Sequence, residues 1–414
     1  MNLLSTPSYV ESPFIIVKIG DYTFGSYNKS TSGAGYALPT KVTFPNFMDS
    51  IEIVKINGEV NTYTIRMVYA ITAGSDPNLL EKVFSTISKH RKIKVSYGDW
   101  ASPSFIYKEE ELLITQIQSQ VDISSSKINY TLTGISTALT LKSQTFNFPA
   151  YKSRKPSDVI WELMRDKSKQ LIDIFYGMRD ENQVKKLGLI MQDDKPVKIE
   201  AKQQINVLDY LNYLVNCMTS NTNVGDTVLK DSRYYLTIVD SITDELPGPY
   251  FKIVKVTQNT PMLNSLDTFE VDIGYPGDNL VTAFNLNDNQ TWSILFDYSQ
   301  KVETSDYIYK LNDSGILETI YSPNITTSRS LQYSTEVDKT WWTNMTTYPR
   351  TATMTIKGLI RPTILMSYVK INVWFYGVKH ISSGLYFITK QQDTIDRSGY
   401  RTTLSLTRVG GQEV

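Results

Sequence analysis

The sequence predicts a β-rich α+β protein in which two similar small β-barrels are separated by a helical and mixed domain. Three observations carry this. Alternating apolar and polar residues dominate both ends of the chain, while between about 150 and 218 the apolar spacing changes from two to nearly four. A strand–turn–strand unit also occurs twice, as LLITQIQSQVDISSSKINYTLTGIS from Leu112 to Ser136 and within SGLYFITKQQDTIDRSGYRTTLSLTRVGG from Ser383 to Gly411. Laid side by side without gaps, the copies match Ile114 with Ile388, Thr115 with Thr389, Gln118 with Gln392, Asp122 with Asp396 and Ser124 with Ser398. The same alignment puts Leu132 on Leu406, Thr133 on Thr407 and Val121 on Ile395.

The elements follow in order. FIIVKIG from Phe14, SIEIVKINGEVNTYTIRMVYA from Ser50 and RKIKVSYGD from Arg91 read as strands. Asn57-Gly58 between alternating segments predicts a type I′ hairpin, because both residues tolerate positive φ. Asp76 to His90 reads as the helix that closes the first barrel, opened by an Asp-Pro pair. Pro156 suits the first turn of a second helix, with Val159, Ile160, Leu163 and Met164 on one face. A third helix is expected over INVLDYLNYLVNCM, capped by Asn206, with Val207, Leu208, Leu211, Leu214, Val215 and Met218 as its apolar stripe. SRYYLTIVDSI and YFKIVKVTQ return to strand. From Leu280 a strand, an Asn/Asp turn and a second strand through Trp292, Ile294, Phe296 and Tyr298 form the expected counterpart of the Asn57-Gly58 hairpin. A weak helix is expected around SLQYSTEVDKTWWTNM, and Tyr97-Gly98 matches Tyr376-Gly377 ahead of the repeated hairpins. The domains are therefore drawn as 1–148 for the first barrel, 149–276 for the middle domain, 277–300 with 351–414 for the second barrel, and 301–350 as an insertion packing with the middle domain.

Composition excludes several classes of function. Lys plus Arg and Asp plus Glu are 42 each, so no global field draws the chain to nucleic acid or an anionic membrane. One cysteine excludes an internal disulfide, and two histidines leave little for a zinc site, so neither metal nor cofactor is expected. The first residues, MNLLSTPSYVESP, lack the basic and apolar regions of a secretory signal, and no run nears the roughly 20 apolar residues that span a bilayer. A soluble protein made in a cytoplasm is expected, and triplets at Asn129, Asn324 and Asn344 are read as chance rather than as glycan acceptors.

No catalytic, cofactor-binding or metal-ligating residue emerges. His90 closes a helix and His380 follows a strand end, each without a partner at a recognised spacing. The carboxylates of KEEEL, Lys108 to Leu112, are expected on a solvated loop edge, since strand neighbours point to opposite faces. Gln192 to Pro196 reads as a turn, STSGAG from Ser30 as a flexible loop without a phosphate-loop lysine, and Cys217 as an inert buried thiol. The 27 tyrosines alternate mostly with aliphatic residues, as core and interface material does.

The order of parts resembles the baseplate or tail hub proteins of tailed bacteriophages, the family related to the hub part of type VI secretion spike proteins. The likeness spans nearly the whole chain and rests on YTLTGIS, KPSDVIWELMRD, INVLDYLNYLVNCM, SRYYLTIVDSI, GDNLVTAFNLNDN and GLYFITKQQDTIDRSGYRTTLSLTRV. It implies a structural, non-enzymatic hub of the virion tail, assembled in the host cytoplasm. In that family three subunits with two barrels each make a pseudo-sixfold ring joining the sixfold tail tube to the threefold central spike. Implied partners are two further copies, the tail tube or tube-initiator protein, the spike protein, the tape-measure protein and baseplate wedge proteins, with no sequence-specific nucleic acid and no membrane insertion. Membrane piercing is expected to belong to a separate chain. Val373, Phe375, Ile388 and Leu406 are expected to divide between barrel interior and subunit seam. The rival readings are a tail-associated cell-wall hydrolase, which needs a positioned acid and base, and a carbohydrate-binding adsorption protein, which needs an exposed aromatic groove.

Overall fold

Alternation of apolar and polar side chains builds most of this molecule, because a strand with one buried face must bury every second residue. The computed structural model describes residues 13–25, 44–45, 47–72, 76–89, 92–99, 110–165, 178, 180–218, 222–224, 227–229, 232–240, 249–257, 267–273, 280–288, 307–311, 317–321, 350–358, 365, 368–380 and 382–408. Five sequence expectations fall outside them: the STSGAG loop, His90, the strand from Trp292 to Tyr298, the helix around residues 330–345, and the glycan triplets at Asn324 and Asn344.

The first segment holds β1 (Pro13–Ile19), β2 (Tyr22–Gly25), β3 (Phe44–Pro45), β4 (Met48–Ile56), β5 (Thr62–Ala70), α1 (Pro77–Lys89), β6 (Lys92–Asp99), β7 (Glu110–Asp122) and β8 (Lys127–Ser136). Its strands run in the order β3-β2-β1-β6-β7-β8-β5-β4. Their inward residues, among them Val17, Ile51, Ile65 and Val95, share one core with Val83 and Ile87 of α1. The Asp76 carboxylate accepts the Asn78 N–H at 2.9 Å and so caps that helix. The β4–β5 connection departs from the expected type I′ turn. Gly58 has φ +70° but Asn57 stays out of the positive region, and the connection spans residues 57–61. Its course follows from docking: Gly58 donates to Leu236 O at 2.7 Å and accepts from Asn212 Nδ2 at 2.8 Å.

The middle segment starts with a 3₁₀ turn, Thr137–Lys142, followed by β9 (Thr145–Phe148), β10 (Tyr151–Arg154), α2 (Pro156–Arg165), α3 (Glu181–Lys186), β11 (Val197–Ile199), β12 (Lys202–Asn206), α4 (Val207–Cys217), β13 (Thr222–Val224), β14 (Thr227–Leu229), β15 (Ser232–Val239) and β16 (Tyr250–Thr257). Its sheets are two-stranded hairpins and pairs, so its stability comes from a separate core of α2, α4, β15 and β16 side chains. The expected cap and stripe of α4 are present: Asn206 Oδ1 accepts the Asp209 N–H at 2.9 Å, and Val207, Leu208, Leu211, Leu214 and Val215 are buried.

The third segment holds β17 (Asp267–Ile273), β18 (Val281–Asp288), β19 (Tyr307–Leu311), β20 (Leu317–Tyr321), β21 (Arg350–Lys357), β22 (Tyr368–Phe375), β23 (Val378–Lys379), β24 (Gly384–Asp396) and β25 (Gly399–Arg408). Its main path is β18-β21-β25-β24, with β22 added along the first part of β24 and β17 parallel to β22. The two outer segments form one 15-stranded sheet, joined where β24 pairs with β4. Among the described residues neither half closes on itself through strand pairing.

Five strands of the first half recur in the second, β6-β7-β8-β5-β4 as β22-β24-β25-β21-β18, whereas the next strand differs, since β1 runs antiparallel to β6 and β17 parallel to β22. β7 and β24 are each bent by a bulge, at Thr115 and Thr389, and each bulge threonine donates its hydroxyl to a carbonyl of the next strand at 3.1 Å. Asp122 and Asp396 then close their turns by accepting the N–H of Ser124 at 3.0 Å and Ser398 at 2.7 Å. Beyond this point the ungapped match fails. Residues 123–126 link β7 to β8, but only 397–398 link β24 to β25, so Gly134 and Leu406 occupy equivalent sites opposite Ile114 and Ile388. The slip of two residues leaves the faces unchanged, which is why the apolar pattern matched regardless. β18 corresponds to β4, each bulged between its first and third residues. The partner of β18 is β21, beyond the 301–350 stretch, rather than the adjacent segment. Tyr97 lies within β6, whereas Tyr376-Gly377 is the turn after β22, so those dipeptides are not equivalent.

Close approach at Gly358 gives a stability prediction. Its N–H donates to Tyr400 O at 2.7 Å, and a Cβ there would lie 2.2 Å from the Tyr400 ring. Gly358→Ala is expected to cost about 2 kcal/mol, read from the urea midpoint at unchanged slope; an unaltered midpoint would refute this packing.

Candidate functional site at the junction of the two halves

One edge of β24 serves two strands. Ile371 to Tyr368 of β22 lie opposite Gly384 to Phe387, and after the Thr389 bulge the same edge pairs with β4 from Lys390↔Ile56 to Ile395↔Ile51. The bulge reverses which residues face the core: Tyr386 and Ile388 are buried before it, Gln391, Asp393 and Ile395 after it.

These reversed positions lead into a buried polar network. Glu110 at the start of β7 is 1% exposed, Asp240 after β15 is 3% exposed, and Tyr63 and Asp393 are fully enclosed. Asp240 accepts from Ser136 Oγ at 2.5 Å and from Asn61 Nδ2 at 2.7 Å. The Tyr63 hydroxyl lies 2.8 Å from Asp240 Oδ2 and 2.9 Å from Glu110 Oε2. It has a single proton to offer the two carboxyl groups. Burial, reinforced by the neighbouring Glu110 charge, pushes the Asp240 carboxyl above the ordinary aspartate range. Tyr63 is itself pushed well above the usual phenol value by burial and these two acids.

Lys55 of β4 connects the parts. Its Nζ is 3.5 Å from Glu110 Oε1; burial opposes its charge, but Glu110, Asp393 and Asp240 together hold it above the ordinary lysine value. Burial pushes Asp393 upward, against Lys55 and against the hydroxyl of Thr402 at 2.6 Å and the amide of Gln391 at 2.8 Å. The network therefore ties β4, β5, β7, β24 and the end of β15 together. Its carboxyls are answered by protein donors and enclosed, an arrangement that fixes geometry and offers no face to a substrate.

The sequence reading missed this network. Glu110 is not on a solvated edge: Glu110 points inward, and its neighbour Glu111 outward, 3.1 Å from Lys92. Residues 192–196 form a loop, but Asp194 is buried and caps α2, accepting the Ser157 N–H at 2.9 Å and its hydroxyl at 2.6 Å. Cys217 is 5% exposed, and burial pushes its thiol up. His380 makes a local turn, its Nδ1 accepting the Ser382 N–H at 3.2 Å and lying 2.7 Å from that hydroxyl. Val373, Ile388 and Leu406 all belong to the third segment's core, whereas Phe375 is 51% exposed beside Tyr376 at the β22–β23 turn.

Two outcomes follow. Lys55→Met leaves buried Glu110 without its cation and is expected to cost about 3 kcal/mol, with part of the loss recovered in Lys55→Met/Glu110→Gln; strictly additive losses in the double-mutant cycle would show that the pair is uncoupled. Asp240 has a folded-state pKa raised above the 3.8 of the free side chain, so its contribution is full below 3.8 and is lost as pH rises through the raised value. Urea midpoints measured from about pH 4 to 7 should fall more for the native chain than for Asp240→Asn, which keeps the same shape without titrating. Parallel curves would exclude a titrating Asp240.

No protein-family model matches the chain, and no curated protein matches it in sequence. Among solved structures it is similar to a tail protein from Neisseria meningitidis MC58, at 10% identity over 96% of this chain and 97% of that one, with a TM-score of 0.48. It is similar to the 43 kDa tail protein of prophage MuSo2 from Shewanella oneidensis, at 11% identity over 95% and 98%, TM-score 0.48. It is also similar to an E. coli component of the type VI secretion system, itself described as structurally similar to the T4 bacteriophage tail proteins gp27 and gp5, at 9% identity over 89% and 76%, TM-score 0.45.

Proposed function

We propose that this chain is a structural hub of a phage tail baseplate, acting as a homotrimer whose ring has pseudo-sixfold symmetry and joins a sixfold tail tube to a threefold central spike. The observation that carries the reading is the duplication of five strands, with the two copies fused edge to edge through β24 and β4. A chain holding two equivalent units side by side presents six of them when three copies close around an axis, so one assembly offers both symmetries. In this reading each half is one barrel of the ring, residues 1–148 and 277–300 with 351–414, and residues 149–276 form the middle domain. The 301–350 insertion contributes the β19–β20 hairpin, and the same reading has it pack with that middle domain.

The resemblance in order of parts supports the same assignment and the same partners: tube or tube-initiator protein, spike, tape-measure and wedge proteins. Its place is the virion baseplate. The buried network suits this role, since its carboxyls stiffen the junction between the copies and are not turned toward a ligand.

Mass and symmetry test the reading. Light scattering on the purified chain should give three times the 47.2 kDa chain mass, and two-dimensional class averages should show a ring with six similar lobes. A protein that stays monomeric at all concentrations, or one that clears purified cell walls, would overturn it.

A further inference from the structure

The duplication leaves one strand edge covered in the second copy and open in the first. In β24 the stretch after the bulge pairs with β4. The equivalent stretch of β7, Gln116 to Asp122, pairs with β8 on one side and, among the described residues, with nothing on the other. Exposure records the difference: Ile395 is 1% exposed against Ile51, whereas its equivalent Val121 is 61% exposed. The edge is matched elsewhere by an equally incomplete one. β18 is the counterpart of β4 and, among the described residues, pairs only with β21.

The geometry points to a second copy of this chain as the occupant: β18 of one copy adds antiparallel to the outer part of β7 of the next, repeating between chains the β4–β24 junction found within one. This deepens the ring reading and rests on it. The internal junction also sets the register. Ile395 lies opposite Ile51, and their equivalents are Val121 and Phe284; Asp393 lies opposite Ile53, and theirs are Ser119 and Leu286. Val121 therefore faces Phe284 of the neighbouring copy, Gln120 faces Asn285, and Ser119 faces Leu286. Phe284 and Leu286 are half-buried in their own sheet, so their free flanks are available to the incoming strand. The diagonal contact is kept in kind: Gln392 Nε2 donates to Glu52 Oε1 at 2.9 Å, and the corresponding side chains are Gln118 and Asn285, again an amide opposite an acceptor. Main-chain bonds supply the attraction, and the Val121–Phe284 contact supplies the register. The seam lies here, and not at Val373, Ile388 or Leu406, which are committed to their own core.

Cross-linking reads the register directly. Val121→Cys and Phe284→Cys chains are prepared separately, mixed and mildly oxidised; the native Cys217 is buried and remains silent. A disulfide-linked pair is expected in the mixture and in neither sample alone. Opposite pairs along antiparallel strands alternate between close and wide spacing, so Gln120→Cys with Asn285→Cys is run alongside, and a cross-link in either mixture supports the register. Val121→Cys mixed with Asn287→Cys is the control, since three residues displace the partner by about 10 Å, beyond disulfide reach. Because Val121 is exposed in the single chain, Val121→Asp should leave the thermal midpoint of the monomer unchanged while weakening association roughly tenfold or more. A ring of normal mass with no cross-link in either mixture, or with equal cross-linking in the control, overturns this seam and leaves the ring standing. A chain that never associates overturns the ring and the seam together.

Discussion

A strand edge left half covered invites further pairing, and this governs the molecule. β24 has 13 residues, but β22 covers only its first four, and the exposed main-chain groups of the rest need partners. β4, far away in sequence, supplies them. This pairing turns two similar sheets into one, and the Thr389 bulge makes it possible, since the extra residue bends β24 away from β22 as β4 begins.

A register on such an edge is only as secure as the side chains that penalise its slipping. A shift by one residue would turn Asp393 out of the interior and away from the Lys55 charge that faces it. Because Asp240 follows β15, the same cluster also holds the middle segment against the first half. Gly58 repeats that attachment with main-chain bonds to Leu236 and the Asn212 amide.

Most of the repeating architecture was legible in the sequence because periodicity reports which face is buried. The Asn206 cap, the Pro156 helix start, the α4 stripe and the twin Asp-Ser turns were all readable locally. What escaped depends on single residues and on distance. The bulges reverse parity in mid-strand, so alternation counted from Ile388 places Asp393 on the outer face, though it is buried beside Lys55. The two-residue difference between the hairpin turns was invisible because a shift of two preserves every face. Glu110 resembled its neighbour Glu111; its partners Tyr63 and Lys55 are dozens of residues away, and no local signal unites them. The partner of β18 lay beyond the 301–350 stretch, where adjacency in sequence misleads.

The two equivalent edges have diverged in the direction their chemistry requires. Where β24 meets β4 within a chain, covalent linkage keeps the strands at high effective concentration, so the junction can enclose Lys55 and the acids despite the cost of removing them from water. The matching stretch of β7 carries Gln116, Ser119 and Gln120 instead, with neither buried acid nor lysine. An edge that must stay in water until another chain arrives is best lined with residues that are soluble when exposed, with one apolar contact to define the register. Pairing β18 with β7 is also heterologous: each copy offers a different strand to each neighbour, so the contact can only close as a ring or run on as a filament.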